Sequence, residues 1–402
     1  MNILQANKFY FNKGGAERVM FALSDLLRHH GHTVTPFAML HKDNMHHAME
    51  KFFVSSVTTE RPQLTLQSSK TLARLFWSRE ATTKFKQLLE LSNVDIAHCH
   101  NIYHQISPSI LSLLKSKKVP VVMTLHDFHL VSPAYNLYAH GGSCTHSKGS
   151  KFFNAVTHRC VKNSYAASML CACELWLHRK IKVYENNIDC FLAPSRFMAH
   201  TIQEWGFHPR RIEVIPNFVE PKTPQPFPAQ PSVLFAGRIS SEKGIEVLFK
   251  VIALLPDVRF TIAGTGPMVN EVKQFAETHK NLTLLGHVAP EKMGSIFDQC
   301  SLLIVPSLAP EVFPMIILEA FAHGRPVIAS RTGGIPELVT PGETGEMIEA
   351  GDAEAFTKTI TTLLSNQSNL ERMGNRALIL VQKKYSPEMH YQQIIKIYQS
   401  VR

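Results

Sequence analysis

The sequence predicts an α/β protein made of two Rossmann-like domains, each a parallel sheet wound with helices. Three observations carry this. Short apolar runs alternate with longer helical patterns along the whole chain. The runs are apolar on both faces, as strands of a covered parallel sheet are. A proline-rich segment, 216–232, divides the chain near its middle and holds Pro216, Pro221, Pro224, Pro226, Pro228 and Pro231. Such spacing forbids helix and breaks strand ladders, so it reads as a semi-rigid linker. Alternation on both sides of that linker implies parallel α/β twice over.

In the first half, strands are expected at 2–6, 34–39, 96–99, 119–125, 190–193 and 212–215. A helix over 16–30 puts Ala16, Val19, Met20, Leu23, Leu26 and Leu27 on one face and stops at Gly31. A helix around 70–89, basic and amphipathic with Trp77, reads as a domain surface rather than a membrane binder. In the second half, strands are expected at 233–236, 259–263, 282–285, 302–305, 327–330 and 346–348. The chain closes on a helix from about 385, where Ser386, Pro387 and Glu388 form a good N-cap, N1, N2 pattern. The domains are expected at 1–216, with 385–402 added, and at 217–384.

Composition bounds the function. The 402 residues are 45% hydrophobic and 18% charged, which excludes a disordered chain. At roughly 100–200 residues per domain, two domains are the first expectation. No apolar run approaches the ~20 residues of a spanning helix, and the first residues lack the apolar region of a signal peptide. Seven cysteines, an odd number at low density, suggest reduced thiols in a cytosolic protein. Residues 1–220 hold 25 basic and 15 acidic groups, and residues 221–402 hold 17 of each, so the whole net charge of +10 lies in the first half. A one-sided positive field draws a chain toward an anionic partner: an acidic membrane surface, a phosphorylated acceptor or nucleic acid.

Several residues could carry chemistry. Gly14-Gly15 lies between the first strand and the first helix, where paired glycines let backbone N–H groups approach an anion; for Gly-Gly taken alone, an ordinary strand-to-helix turn is the more common reading. Arg238 and Lys243 follow the strand at 233–236, at the sheet edge where ligands of open α/β sheets bind. Two cations across one loop can converge on a diphosphate, and an ion pair of the loop with Glu242 is the bland alternative. Glu311 is expected in a loop before Pro314, and Glu319 on an apolar helix that ends at Gly324. An ionised Glu among Ile317, Leu318, Ala320 and Phe321 needs a partner, and a ribose diol would serve; a salt bridge on a half-exposed face is the alternative. The free N–H groups of Met315 and Ile316 could hold phosphate oxygens. His126-Asp127 ends the strand at 119–125, where His can donate to or accept from a sugar hydroxyl.

Other patterns are set aside. Gly264-Thr-Gly266 has Pro267 after it and no acidic residue at the end of the next strand, so it reads as a tight turn and not a dinucleotide fingerprint. There is no Asp-x-Asp, Walker or His-Glu-x-x-His motif. His98 and His100 are read as pointing to opposite faces of their strand, and so as unable to share a metal. Cys171-x-Cys173 is read as packing, and His29, His30, His32, His46 and His47 as solvated surface.

These residues resemble the GT-B glycosyltransferases of family 4 along nearly the whole chain. The second half carries Phe-Ala-Gly-Arg238-Ile-Ser-Ser-Glu-Lys243-Gly, Ile-Ala-Gly-Thr-Gly-Pro, Leu-Leu-Gly-His287-Val, Glu311-x7-Glu319 and Ser330-Arg-Thr-Gly333-Gly334-Ile-Pro-Glu. The first half carries Lys-Gly14-Gly15-Ala-Glu-Arg, Ala-His-Cys-His-Asn101-Ile-Tyr-His-Gln-Ile-Ser-Pro, Thr-Leu-His126-Asp127-Phe, Pro194-Ser195-Arg-Phe and Pro216-Asn217. The sequence looks most like bacterial members that build capsule, exopolysaccharide or O-antigen chains.

The resemblance implies a GT-B fold: two Rossmann-like domains facing across a cleft, with the C-terminal helix crossing back to the N-terminal domain. It implies a retaining, metal-independent transferase with no cofactor, moving a hexose from UDP- or GDP-sugar to a lipid-linked or oligosaccharide acceptor. Arg238 and Lys243 would bind the donor diphosphate, Glu319 the ribose and Glu311 the donor sugar. Backbone near His287 and Val288 would face the base, with Phe313, Met315 and Ile316 completing the donor site. Gly14 and Gly15 would approach the donor, and His126 would contact the transferred sugar. Asn101 and Asp127 would join His126 on the acceptor side. The protein would be cytoplasmic, at the inner face of an anionic membrane, with its oligomeric state open. Two departures stand out: Pro314 replaces a common Gly and removes one potential N–H donor, and Ser132 and Ser147 stand where some relatives carry thiols beside Cys144 and Cys160. A metal knuckle there is not expected. A phosphorylase or epimerase is disfavoured by Arg238, Lys243 and the Glu311-x7-Glu319 spacing. A non-catalytic scaffold is disfavoured by the intact set, and a nucleic-acid binder by the lack of an aromatic–basic motif.

Overall fold

The computed structural model describes residues 1–56 and 73–402. The start of the helix expected around 70–89 lies outside the described residues, and the rest is not one helix: residues 73–76 are helical, the chain leaves the helix at Trp77, and a new helix, Arg79–Leu91, begins where the Ser78 side chain caps the Ala81 amide. The chain forms two compact units. One comprises residues 1–135, 145–215 and 391–402, and the other 136–144 and 216–390.

The first unit is built on β1 (Asn2–Ala6), β2 (Thr33–Phe37), β3 (Ile96–Cys99), β4 (Val121–Thr124), β7 (Cys190–Ala193) and β8 (Ile212–Val214). The order is β2-β1-β3-β4-β7-β8, with parallel pairing throughout. Between β4 and β7 the chain makes a small antiparallel hairpin, β5 (Tyr138–Ala139) with β6 (Gly142–Ser143), that no apolar pattern announces. It belongs to the second unit, where the Tyr138 and Ser241 hydroxyls lie 3.3 Å apart.

The helix Gly15–His29 buries Val19, Met20, Leu23, Leu26 and Leu27. Glu17 in its first turn, with Arg28 and His29 in its last, suits the helix dipole. The terminal helix Pro387–Val401 contributes residues 391–402 to this unit. Tyr398 is fully buried, with its hydroxyl 2.6 Å from His98 Nδ1. Tyr391 stacks on His30 at 3.5 Å and places its hydroxyl 2.9 Å from His32 Nε2. His30 and His32 are therefore docking residues rather than plain solvated surface.

The second unit is built on β9 (Ser232–Ala236), β10 (Arg259–Ala263), β11 (Leu282–Gly286), β12 (Leu302–Val305), β13 (Val327–Ser330) and β14 (Gly345–Ile348), in the order β11-β10-β9-β12-β13-β14 and again parallel. Two apolar cores cover its faces. One centres on Val233, Leu248, Ile262 and Phe356, and the other on Leu234, Leu303, Leu318 and Phe321. Alternate residues of β9 feed opposite cores, which is why the strand reads as apolar on both faces. The proline-rich segment is not a bare linker. Asn217 and Phe218 are buried, and the buried Arg325 guanidinium donates to the Gln225 and Pro226 carbonyls. Among the described residues, no helix is long and apolar enough to cross a membrane.

Candidate active site

In each sheet the strand order reverses beside the first strand, between β1 and β3 and between β9 and β12. Ligands of open parallel sheets collect at the carboxyl ends of such switch points. Gly14, Gly15, Asn101, Arg238, Lys243 and Glu311 lie in the segments that follow the switch-point strands, whereas His126 and Asp127 follow β4, and His287 and Val288 follow the edge strand β11.

In the second unit, β9 runs into Gly237 and the exposed Arg238, then into a short turn of 3-10 helix, Ser241–Lys243. The amides of Leu308 and Ala309, beyond β12, donate to the Glu242 carbonyl at 3.0 and 3.1 Å. That ladder ties the two switch-point loops together. It sets Lys243 Nζ 2.6 Å from Glu311 Oε1, which also accepts from the Ser307 hydroxyl at 2.7 Å. The alternative pairing of the loop cations with Glu242 is not the one formed for Lys243. Two glycines make this close approach possible. A Cβ on Gly244, at φ +77°, would lie 1.9 Å from the Pro306 carbonyl oxygen, and one on Gly333, at φ +60°, would lie 2.2 Å from that of Glu311.

Pro314 precedes the helix Met315–Ala322, leaving Glu311 in the loop as expected. Glu319 lies in that helix and is 8% exposed, so it is not on a half-exposed face. Phe313 is buried, and Val288, Met315 and Ile316 pack partly buried against the same core. His287 is exposed after Gly286, which ends β11. Gly264-Thr-Gly266 serves the loop after β9: the Gly237 and Ile239 amides donate to the Ala263 and Thr265 carbonyls, each at 2.9 Å.

In the first unit, Gly14 caps the first helix in extended conformation, and Gly14 and Gly15 are both exposed. Asn7 and Lys8 follow β1, His100 and Asn101 follow β3, and His126 and Asp127 follow β4. Asn7 Oδ1 accepts from the Asn101 amide at 3.1 Å, while its Nδ2 donates to the buried Glu17 at 3.1 Å. Tyr103 donates its hydroxyl to Asp127 Oδ2, and the His129 amide donates to Oδ1 at 3.0 Å. Burial pushes the Asp127 carboxyl up to about 6, against the pull of the Lys8 ammonium. Burial also lowers Lys8, opposed by Asp127 and Glu17. Both groups are thus driven toward their neutral forms.

His98 and His100 do not point to opposite faces. Residues two apart on a strand face the same way, and these two rings stack at 4.5 Å. His100 Nδ1 in turn lies 2.9 Å from His126 Nε2. Burial, reinforced by the Lys8 charge, pushes His126 down to about 3, so it stays neutral near pH 7. His100 is lowered too, by burial and then by His98 and His126. His100 Nε2 is buried without a hydrogen-bond partner, which disfavours a proton there. We assign the His100 proton to Nδ1, donating to His126 Nε2. That leaves His126 with an Nδ1–H to donate.

Asn7, Lys8, Glu17 and Tyr103 were not singled out from the sequence. Lys8 was findable, since it follows a strand at the same carboxyl edge as His126. Nothing in the linear pattern pairs Asn7 with Glu17.

The comparisons with known proteins agree along the chain. The family Glycosyltransferase Family 4 matches residues 13–223, and Glycosyl transferases group 1 matches 220–378. An uncharacterised glycosyltransferase of Methanocaldococcus jannaschii is 24% identical over 319 residues, 79% of this chain and 78% of its own. An uncharacterised 42.6 kDa protein in the cps region of Klebsiella pneumoniae is 25% identical, covering 84% of this chain and 87% of its own. Among solved structures, sucrose-phosphate synthase from Thermosynechococcus elongatus superposes with a TM-score of 0.73 at 19% identity, over 99% of this chain and 98% of its own. Anabaena HepE in complex with UDP superposes with a TM-score of 0.70 at 18% identity, over all of both chains. The structural likeness shows the fold, that of the GT-B class.

Proposed function

The chain belongs to glycosyltransferase family 4, and from that premise we propose a retaining enzyme that moves a hexose from UDP- or GDP-sugar to a lipid-linked or oligosaccharide acceptor in cell-surface polysaccharide synthesis. The observation that carries the donor assignment is the Lys243–Glu311 pair at the switch point of the second sheet. It puts a cation suited to a diphosphate beside a carboxylate suited to sugar hydroxyls. Arg238 supplies a second cation on the same loop, and Glu319 is assigned the ribose. That HepE was crystallised with UDP supports a uridine nucleotide as the first to test.

In this reading the bond from sugar C1 to the diphosphate oxygen breaks as the acceptor oxygen bonds to C1 on the same face. The acceptor proton passes to the departing phosphate oxygen. Lys243 and Arg238 neutralise the charge that develops there, the role a divalent cation would otherwise fill, so we propose transfer without an essential metal. Neutral His126 donates from Nδ1 to a hydroxyl of the transferred sugar, with Asn101 and Asp127 beside it for the acceptor.

The basic excess of the first half fits an anionic membrane surface, so we propose a cytoplasmic enzyme peripheral to the membrane. The helix Tyr165–Lys180 supports this reading. It exposes Tyr165, Met169 and Trp176, with Ile181 just beyond, among the exposed Lys162, Lys180 and Lys182. Aromatic groups beside lysines suit the headgroup region.

The test is thermal stabilisation by UDP-, GDP-, ADP- and TDP-sugars without added metal, since a ligand that binds only the folded state raises Tm. A shift with UDP- or GDP-sugar that Glu319→Ala abolishes supports the reading. No shift with any donor, with or without acceptor, overturns it in favour of a scaffold subunit.

A further inference from the structure

The first unit holds a second cluster that the transfer reaction does not use. Glu174, on the inner face of the helix Tyr165–Lys180, is 1% exposed. Its two carboxylate oxygens make no hydrogen bond of good geometry. Two imidazoles face it instead: His104 Nδ1 lies 3.0 Å from Oε2, and His129 Nε2 lies 3.8 Å from Oε1. His129 is 2% exposed, and its Nε2 is also without a hydrogen-bond partner. One donor atom from each of the three lies within 4.8 Å of the others.

A buried carboxylate must be compensated, by a hydrogen-bonded partner or by a cation. Off-axis contacts between lone-pair atoms are poor hydrogen bonds but are the natural layout of ligands aimed at a common centre. Zinc held at 2.0–2.1 Å by tetrahedral ligands separates its donors by about 3.3 Å. The 3.0 and 3.8 Å separations, each to a different oxygen of the same carboxylate, lie on either side of that value, and a bound ion would draw donors that lie within 4.8 Å of one another closer together. We propose that His104, His129 and Glu174 form a site for a divalent transition cation, zinc by its donor set of two imidazoles and one carboxylate.

The three ligands come from three segments: the loop after β3, the loop after β4 and the helix Tyr165–Lys180. The bound ion would clamp the two loops that carry Asn101, His126 and Asp127. Its role is therefore positional, apart from the metal-independent chemistry proposed for transfer. His104, with its side chain 23% exposed, is the side from which an ion can enter.

The experiment uses the full chain stripped with chelator. Zinc is titrated by calorimetry and by Tm, and cobalt is added to read visible ligand-field bands. Expected are one equivalent of tight zinc, a raised Tm and cobalt bands of low coordination number. His104→Ala should weaken zinc binding by more than about tenfold, and its metal-free Tm should fall because the buried Glu174 carboxylate loses one of the two imidazoles that face it. Glu174→Gln should weaken zinc binding likewise with its shape preserved, and if it fails to fold, His104→Ala decides alone. Zinc binding of equal strength in wild type and His104→Ala means that surface imidazoles bind it, and overturns the proposal. No stoichiometric zinc in wild type overturns it too. The donor-induced Tm shift, read on stripped protein, reports separately on the transfer site.

Discussion

His100 Nδ1 lies 2.9 Å from His126 Nε2, and the same His100 ring stacks on His98, whose Nδ1 meets the Tyr398 hydroxyl at 2.6 Å. A residue of the last helix is thus linked through two buried imidazoles to the histidine assigned to the transferred sugar. His100→Phe keeps a flat ring but removes the donor that fixes the His126 tautomer. We predict a fall in kcat of roughly 10- to 100-fold, the equivalent of about 1.4–2.8 kcal/mol, with KM for the donor little changed. Steady-state kinetics on the variant decide it, and a change confined to KM would count against the link.

Lys243 and Glu311 should separate two parts of donor recognition. Lys243→Ala should weaken free UDP or GDP by about 1.5–3 kcal/mol, the range for a hydrogen bond to a charged group. Glu311→Gln should leave the free nucleotide bound and lower turnover of the nucleotide sugar. Calorimetry with nucleotide and sugar nucleotide side by side checks this. Equal losses for both ligands in Glu311→Gln would move Glu311 off the sugar.

Gly244 and Gly342 have nearly the same φ, +77° and +72°, but of the two only Gly244 would set a Cβ against backbone, the Pro306 carbonyl. Gly342→Ala should cost about 1–2 kcal/mol for the left-handed conformation. Gly244→Ala should cost more, and should reduce donor binding as well because it displaces Lys243. Denaturant unfolding of the two variants separates the clash from the conformation.

Stability should fall on mild acidification. Burial holds His126 down to about 3 and His390 to about 4, with His390 Nδ1 bonded to the Pro216 carbonyl. These groups stay neutral when folded and protonate near 6.5 when unfolded, so the unfolded chain binds more protons below that pH. The stabilisation is fully present above 6.5 and is lost as pH falls toward 3–4, by up to about 1.4 kcal/mol per pH unit per group. His390→Phe, which keeps a ring against Phe218, should flatten the slope of Tm between pH 6.5 and 4.

Membrane docking should need both the charge and the exposed ring of Trp176. Wild type should sediment with vesicles of anionic lipid at low salt and be released at high salt. Trp176→Glu, at an exposed position, should release it at low salt without lowering Tm. Failure of wild type to bind such vesicles would remove the membrane from the proposal.

The linear pattern showed the two sheets, because a strand covered on both faces is apolar at successive positions and its helices repeat near 3.6 residues. It also pointed to Arg238, Lys243, Glu311 and Glu319, because two cations just past a strand and two carboxylates around the start of an apolar helix are visible in the linear order. The hairpin β5–β6 escaped, since two-residue strands carry no period. So did the shared face of His98 and His100, although their two-residue spacing held the information.

What the sequence by itself determined is the fold class, the family and the loops at the carboxyl edges of the two sheets. Those follow from local periodicity and short motifs. Only the tertiary structure decided which charges meet. Lys243 pairs with Glu311 and not with its neighbour Glu242, Asn7 joins Glu17 to Asn101, and Glu174 draws His104 and His129 together from loops far apart in the chain. Such pairings are set by strand order at the switch points and by burial, which makes an uncompensated charge costly. Neither quantity exists until the sheet has formed.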